Sequence, residues 1–453
     1  MSPEEHLLVL SSLSPLDLSE QKRFKHLAVQ PGLDWALVGE LAELNKVEPR
    51  LTSVLKFHGV WDVVPRQVAD RLAQVAQTVA ETNRKRVARA EQLFAAFHEA
   101  RIEFCVLKGV LFAETLYGDP LYKRMNDIDM LVHPPDVPRI VEIYARLGYF
   151  SIGERVANRP ELNQKVSHHL PPYVNRELDC ILGTQWALKS PRAGLNIDSP
   201  AMWSRIEAHD YRGHPIHKLS SRDNLFHVCV HLGVFKSGLR DLMDIANLIR
   251  QESGRIDWPA FIDDVRRARA ESHVVHALTL VHCLDPRPET AAALDALRPN
   301  ASGFYLEAAK KKARAPSVLL RTCSAHLSTV EKHVSEFNVA NYFPEKSRRF
   351  LDFWQSVLLA PRAECGRVTF TPEPTGVRAV MARVAAPAQI FRAIGAEVGN
   401  GLVAALMIKS VIDLGTSFAK WPFTSQHETN LAAYAHSLGL TVADLERIKD
   451  SIH

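Results

Sequence analysis

Two aspartates, Asp127 and Asp129, stand either side of Ile128 at the start of an apolar run over 128–132. Side chains of a strand alternate between its faces, so residues two apart point the same way and these carboxylates can converge on one cation. Upstream, a shorter apolar run over 104–107 ends in Lys108 and Gly109, and 110–117 carries helix formers with apolar residues at helical spacing. A helix starting at Gly109 would offer free backbone N–H groups and the positive end of its dipole. Glycine would also let a phosphate approach the backbone closely. Lys108 adds a point charge beside it. Paired carboxylates opposite a Lys-Gly helix start are what a site for a metal-bound nucleoside triphosphate needs. One or two magnesium ions on the aspartates would bridge phosphate oxygens, and phosphoryl or nucleotidyl transfer asks mostly for such positioning and charge.

These residues resemble the DNA polymerase β type nucleotidyltransferase superfamily, and within it a branch of uncharacterised bacterial nucleotidyltransferases whose core reads LKG, an aromatic, Arg, then DID. Lys108-Gly109 stands where other branches have Gly-Gly or Gly-Ser, Tyr117 and Arg124 fit the spacing between the two halves, and Asp127-Ile128-Asp129 matches the metal-binding pair. The resemblance runs over roughly residues 33 to 250, about half the chain.

The resemblance implies Mg2+, with Mn2+ as the alternative ion, and an NTP donor, ATP before the others. Its product would be a nucleotidylated hydroxyl acceptor plus pyrophosphate. It also implies a third carboxylate from a later strand, to help bind the metal and take the acceptor's proton. Asp179 is the candidate, with Glu177 as fallback, because the register around Asp179-Cys180-Ile181 departs from the acid-Leu-His-Trp of many relatives. Arg124 would support the carboxylates or contact phosphate, and Tyr117 would pack. Small molecules, peptides and proteins are favoured as acceptors. Two alternatives stand beside this reading: a phosphotransferase using the same metal site, and a nucleotide-binding regulatory or scaffold protein without catalysis.

The histidines are weighed separately. His227 and His231 lie four apart on an expected helix over 222–234 and share a face, but they lack the glutamate and third ligand of a zinc site. A face bordering the nucleotide pocket is the expectation. His168 and His169 are expected in an exposed loop. In the segment 239–249, Leu239, Leu242, Met243, Ala246 and Ile249 form one apolar stripe, with Asp241 and Asp244 beside it. The expectation for Asp244 is that it fixes the helix rather than orients a basic residue.

Positioning these groups calls for an α+β fold: a small mixed β-sheet core embedded in predominantly helical N- and C-terminal parts. The expected parts are a helical region over 1–100, the catalytic core over 101–220, a helical region on the core over 221–300, a helical extension over 301–368, and a linker with helices over 369–453. Within the first, 65–99 reads as one long helix begun by Pro65. A length of 453 residues suits two or three domains, and 46% hydrophobic residues suit a soluble globular chain. The net charge of +4 disfavours a long nucleic acid as partner, and the one dense basic run, KKKAR at 310–314, reads as a solvated helix face. Six scattered cysteines without a CxxC, and a start without a basic leader region, point to a reducing cytoplasm. The apolar stretch 401–415 is short and interrupted by Lys409 and Asp413, so no membrane span is expected.

Overall fold

The computed structural model describes residues 1–151, 168–189, 193–234, 238–314, 319–320, 343–360, 362–369, 374–398, 400–423 and 430–452. The fold is α+β, with helices dominating. Among the described residues the strands are β1 (Phe104–Val106), β2 (Ile128–Val132), β3 (Tyr149–Ser151), β4 (Tyr173–Asn175), β5 (Ile181–Gln185), β6 (Glu207–Tyr211) and β7 (His214–Lys218). Two compact units divide the chain, Met1–Val132 with Asn196–Ser324 and His133–Leu195 with Ala325–His453.

In the first unit β1 pairs antiparallel with β2 and parallel with β7, and β7 pairs antiparallel with β6. Every residue of β1 and β2 is buried, so both strands are covered on both faces. Part of that cover is the long helix Arg66–Glu99, which Pro65 precedes as the sequence predicts. Leu72, Ala76, Ala80, Val87, Ala90, Leu93, Phe94 and Phe97 make its buried stripe, spaced three and four apart. Phe94 and Phe97 place their rings 5.4 and 5.2 Å from that of Phe104, fastening β1 to the helix.

One polar residue interrupts this stripe. Asn83 is fully buried, and its amide donates to the carbonyls of Pro120, Leu121 and Lys123 at 2.7, 3.2 and 2.7 Å. The connection between the Lys-Gly turn and β2 is thereby tied to the long helix, immediately before Arg124 and Asp127. The helix Leu239–Glu252 is held in a similar way. Its Asn247 accepts from the Ser14 N–H at 2.8 Å and donates to the Ser12 carbonyl at 3.1 Å, while its apolar stripe is buried as expected.

The basic run at 310–314 differs from its expectation. It ends the helix Gly303–Arg314, where Lys310 and Lys311 are exposed but Lys312 is buried and donates to the Val234 carbonyl. A long lysine stem crosses apolar surface and its ammonium finds a carbonyl, which no count of local charge anticipates.

In the second unit β3, β4 and β5 pair antiparallel in that order. The helix Val137–Arg146 buries Ile140, Ile143 and Tyr144. Phe150 of β3 packs with Tyr434, Leu438 and Leu440 around Ala435 and Leu445. Thr441 caps the helix Val442–Ile452 together with Asp444. Residues 315–318, 321–342 and 361 of the expected helical extension and 370–373 of the expected linker lie outside the described residues. No helix among the described residues is long and apolar enough to cross a membrane.

Replacing Asn83 with Ala strips the three carbonyls of their buried donor. The expected loss is about 1–3 kcal/mol of stability. An unchanged urea midpoint would show that the Asn83 tether contributes nothing.

Candidate active site

The site follows from the register of β1 on β2. Cys105 stands opposite Leu131 and Val106 opposite Met130, and the next rung brings the Leu107 N–H to the Asp129 carbonyl at 2.9 Å. Continuing the same register sets Gly109 against Asp127. There the chain must turn sharply, and Gly109 adopts φ 37°, ψ −111°. A Cβ at this position would lie 3.2 Å from the Asp127 carbonyl oxygen, on a backbone that side-chain-bearing residues rarely adopt. The glycine is therefore not the first helical residue that the sequence suggests. It is a kink within the helix Lys108–Thr115, and the regular turns begin at Val110.

Asp129 is buried at 8% exposure, and a buried carboxylate requires a cation. Lys108 supplies it, with Nζ 2.9 Å from Asp129 Oδ2. The same ammonium lies 2.9 Å from His231 Nε2, at the end of the helix Ser221–His231. An ammonium only donates, so His231 accepts at Nε2 and carries its proton on Nδ1. Burial alone would lower the Lys108 pKa. The charges of Asp129 and Asp127, the hydrogen bond to Asp129 and the charge of Asp241 override it and hold the pKa above its ordinary value.

Three further cations border the cleft, each with its own acid. Arg124 Nη2 lies 3.0 Å from Oε1 of the buried Glu48, whose carboxyl is pushed up by burial while Arg124 pulls it down. Lys123, buried at 7% exposure, lies 3.1 Å from Asp244, and Tyr117 donates its hydroxyl to the other oxygen of Asp244 at 2.8 Å. Burial, then the Asp244 charge, raises the Tyr117 pKa well above the ordinary value. Asp244 thus orients a basic residue of the cleft, against the role that the sequence favours for it. Arg240 donates from Nε and Nη2 to Asp241 at 3.2 and 3.1 Å.

Lys108, Gly109, Arg124 and Asp127 line one cleft of about 650 Å3 including its mouth, joined by Lys123, His231, Arg240, Asp241 and Asp244. Asp129 stands behind them through its contact with Lys108. Lys123 and Arg240 are missed by the sequence reading. The available signal is the RDLMD run, where charged residues at 240, 241 and 244 interrupt an otherwise apolar helix.

Asp179 belongs to the second unit, in the turn between β4 and β5. Asn175 Nδ2 donates to its carboxylate at 2.5 Å, and the Asp179 N–H donates back to Asn175 Oδ1 at 3.1 Å. His169 is not in an open loop: it forms an isolated bridge with Gln185. His227 is fully buried with its ring 5.9 Å from that of His231. Among the described residues no three His, Cys, Asp or Glu side chains are grouped as metal ligands.

A strand, a glycine kink and a second strand with two carboxylates at its start agree with the nucleotidyltransferase core that the sequence resembles. The family model for an uncharacterised nucleotidyltransferase matches residues 31–285, more than half of the 453-residue chain, and the chain belongs to this family. Its activity class is nucleotidyl transfer. No curated protein and no solved structure matches the chain significantly.

Replacing Asp244 with Ala leaves the buried Lys123 ammonium without its acid. The expected cost is about 3–5 kcal/mol, of which a second change, Lys123→Met, recovers a large part. Urea unfolding of the two single variants and the double variant checks the coupling. Strictly additive losses would show that the pair does not interact.

Proposed function

We propose that the protein is a metal-dependent nucleotidyltransferase that moves a nucleoside monophosphate from an NTP, ATP first, to a hydroxyl-bearing small molecule, peptide or protein, releasing pyrophosphate. Asp127 and Asp129 would hold Mg2+ or Mn2+. Magnesium is commonly bound by only one or two carboxylates, with water and phosphate oxygens completing its octahedron, so this pair suffices without a third protein ligand. The donor set is hard oxygen throughout. The observation that carries the reading is the Lys108 ammonium, a cation of the protein itself, held 2.9 Å from Asp129 where a bound cation would neutralise the same carboxylate. Bound there, the metal would neutralise charge that develops on the phosphates during transfer.

The remaining tasks fall to the chain. Lys108 leaves Asp129 and donates to the triphosphate, with His231 keeping the ammonium beside the cleft. The turn at Gly109 lets phosphate oxygens reach backbone N–H groups, since no side chain caps this helix start. Arg124, steadied by Glu48, faces the phosphates across the cleft. Asp179 is proposed as the third carboxylate, which accepts the proton of the attacking hydroxyl. Its hydrogen bonds with Asn175, which fix the carboxylate in its turn, support that role.

Calorimetric titration of ATP, GTP, CTP and UTP, with and without Mg2+, tests the donor site. Magnesium-dependent binding to the wild type is expected, weakened at least about 100-fold in Asp127→Asn/Asp129→Asn. Equal binding by the double variant would remove the aspartates from the site. Asp179→Asn is expected to retain nucleotide affinity while labelled-nucleotide transfer to an acceptor falls about 100-fold or more. Release of ADP instead of pyrophosphate would make the enzyme a phosphotransferase, and binding without any turnover a regulatory protein.

A further inference from the structure

Next to the carboxylate-bearing cleft lies a second, smaller one of about 290 Å3 including its mouth, lined by Lys46, Arg50, Lys123, Arg124 and Arg240. No carboxylate contributes to its lining, which otherwise consists of Ser12, Val47, Met243 and two tyrosines. Lys123, Arg124 and Arg240 line both clefts. Their acids, Asp244, Glu48 and Asp241, compensate those three charges. Arg50 differs. Among the described residues it has no carboxylate within ion-pair distance: Nη2 donates to the Leu13 carbonyl at 3.3 Å, and the guanidinium lies 5.5 Å from the centre of the Tyr117 ring. The Nε atoms of Arg50 and Arg124 are both buried without a hydrogen-bond partner.

A half-buried guanidinium with a carbonyl and an aromatic ring for company, among four other cations, is incomplete without an anion. Two N–H donors left without acceptors on residues that line the same cleft ask for the same thing, and tetrahedral oxyanions suit the fork of arginine. We propose that this cleft binds a phosphate group of the acceptor. The acceptor of nucleotidyl transfer is then a molecule carrying both the attacking hydroxyl and a phosphate monoester.

The chemistry of the two clefts separates the anions. A triphosphate carrying a divalent ion needs carboxylates, which the first cleft has and the second lacks. A phosphate monoester needs only cations and hydrogen-bond donors. The second cleft is also the smaller of the two and is lined by five cations, so a single anionic group is its fitting occupant. With Lys123, Arg124 and Arg240 shared, that anion is anchored one side chain away from the donor's phosphates, and the acceptor's reach is set by this anchor. The inference rests on the donor site proposed above.

Glycerol phosphate is the probe, titrated calorimetrically into the full-length protein with and without a saturating non-hydrolysable magnesium-ATP analogue. It is expected to bind in both states. Arg50→Gln and Lys46→Gln should each weaken it about tenfold or more while the affinity for the ATP analogue stays the same. Lys46→Gln secures the test should Arg50→Gln fail to fold. Competition between the probe and the ATP analogue, or an equal loss of nucleotide affinity in the variants, would assign the cleft to the donor's own distal phosphates and overturn the proposal. So would undiminished or absent binding of glycerol phosphate. Absence of magnesium-nucleotide binding in the wild type would instead strike at the donor site, and the two failures are read separately.

Discussion

Antiparallel pairing of β1 with β2 puts three demands on one short stretch of chain. The register sets the Lys-Gly turn against the two aspartates, it buries Asp129 inside a strand covered on both faces, and it leaves Gly109 as the residue that can pass the Asp127 carbonyl. A carboxylate in that position is tolerable only with a cation in contact, and Lys108 is the one that the register delivers. The surrounding helices serve this arrangement. Asn83 of the long helix holds the loop that leads into β2, and His231 at the end of another helix takes part of the lysine's donor capacity. A rung slipped by one residue would turn Asp129 to the opposite face and dissolve the contact. The ion pair and the sheet register are for this reason one constraint.

That constraint also explains why the metal and the triphosphate should bind cooperatively on the proposed assignment. A divalent ion at Asp129 competes with the Lys108 ammonium, and expelling a buried ammonium without a new partner is costly. A triphosphate offers that partner. Conversely, a triphosphate without a metal would meet the negative charges of Asp127 and Asp241 beside Lys108. Each ligand removes the obstacle to the other, so their binding free energies are linked through a single side chain.

Much of this is legible in the sequence alone. The period of two around Ile128, the Lys-Gly end of a short apolar run and the helical stripe at 239–249 are local patterns. They led correctly to an α+β chain of the nucleotidyltransferase family. What escaped was long-range or conformational. Arg124 meets Glu48 across 76 positions of sequence, and nothing near either residue announces the other. Gly109 reads equally well as a helix start or as a kink until its φ is known. Lys312 looks solvated among three basic neighbours, yet its ammonium is buried against the Val234 carbonyl. Arg240 gives no signal of its own, because a lone arginine at the edge of an apolar stripe normally faces water. Here its neighbour Asp241 and the cleft that both residues line give it another environment.

The three cations that border both clefts show how such an arrangement can discriminate between anions. Each is held by one acid: Glu48 at the start of one helix, Asp241 and Asp244 on another. Their positions are thus set before any ligand arrives, and little reorganisation is left for the moment of transfer. Asp127, Asp241 and Asp244 line the first cleft and no acid lines the second, so carboxylates that could face a divalent ion are found in only one of the two. On the proposed assignment the metal itself then sorts the substrates. A polyphosphate that brings a divalent ion is stabilised on the acid-bearing side, and a metal-free monoester is stabilised on the other. The same three side chains can serve both without confusing donor and acceptor, since the discriminating charge is the carboxylate behind them rather than the cations in front.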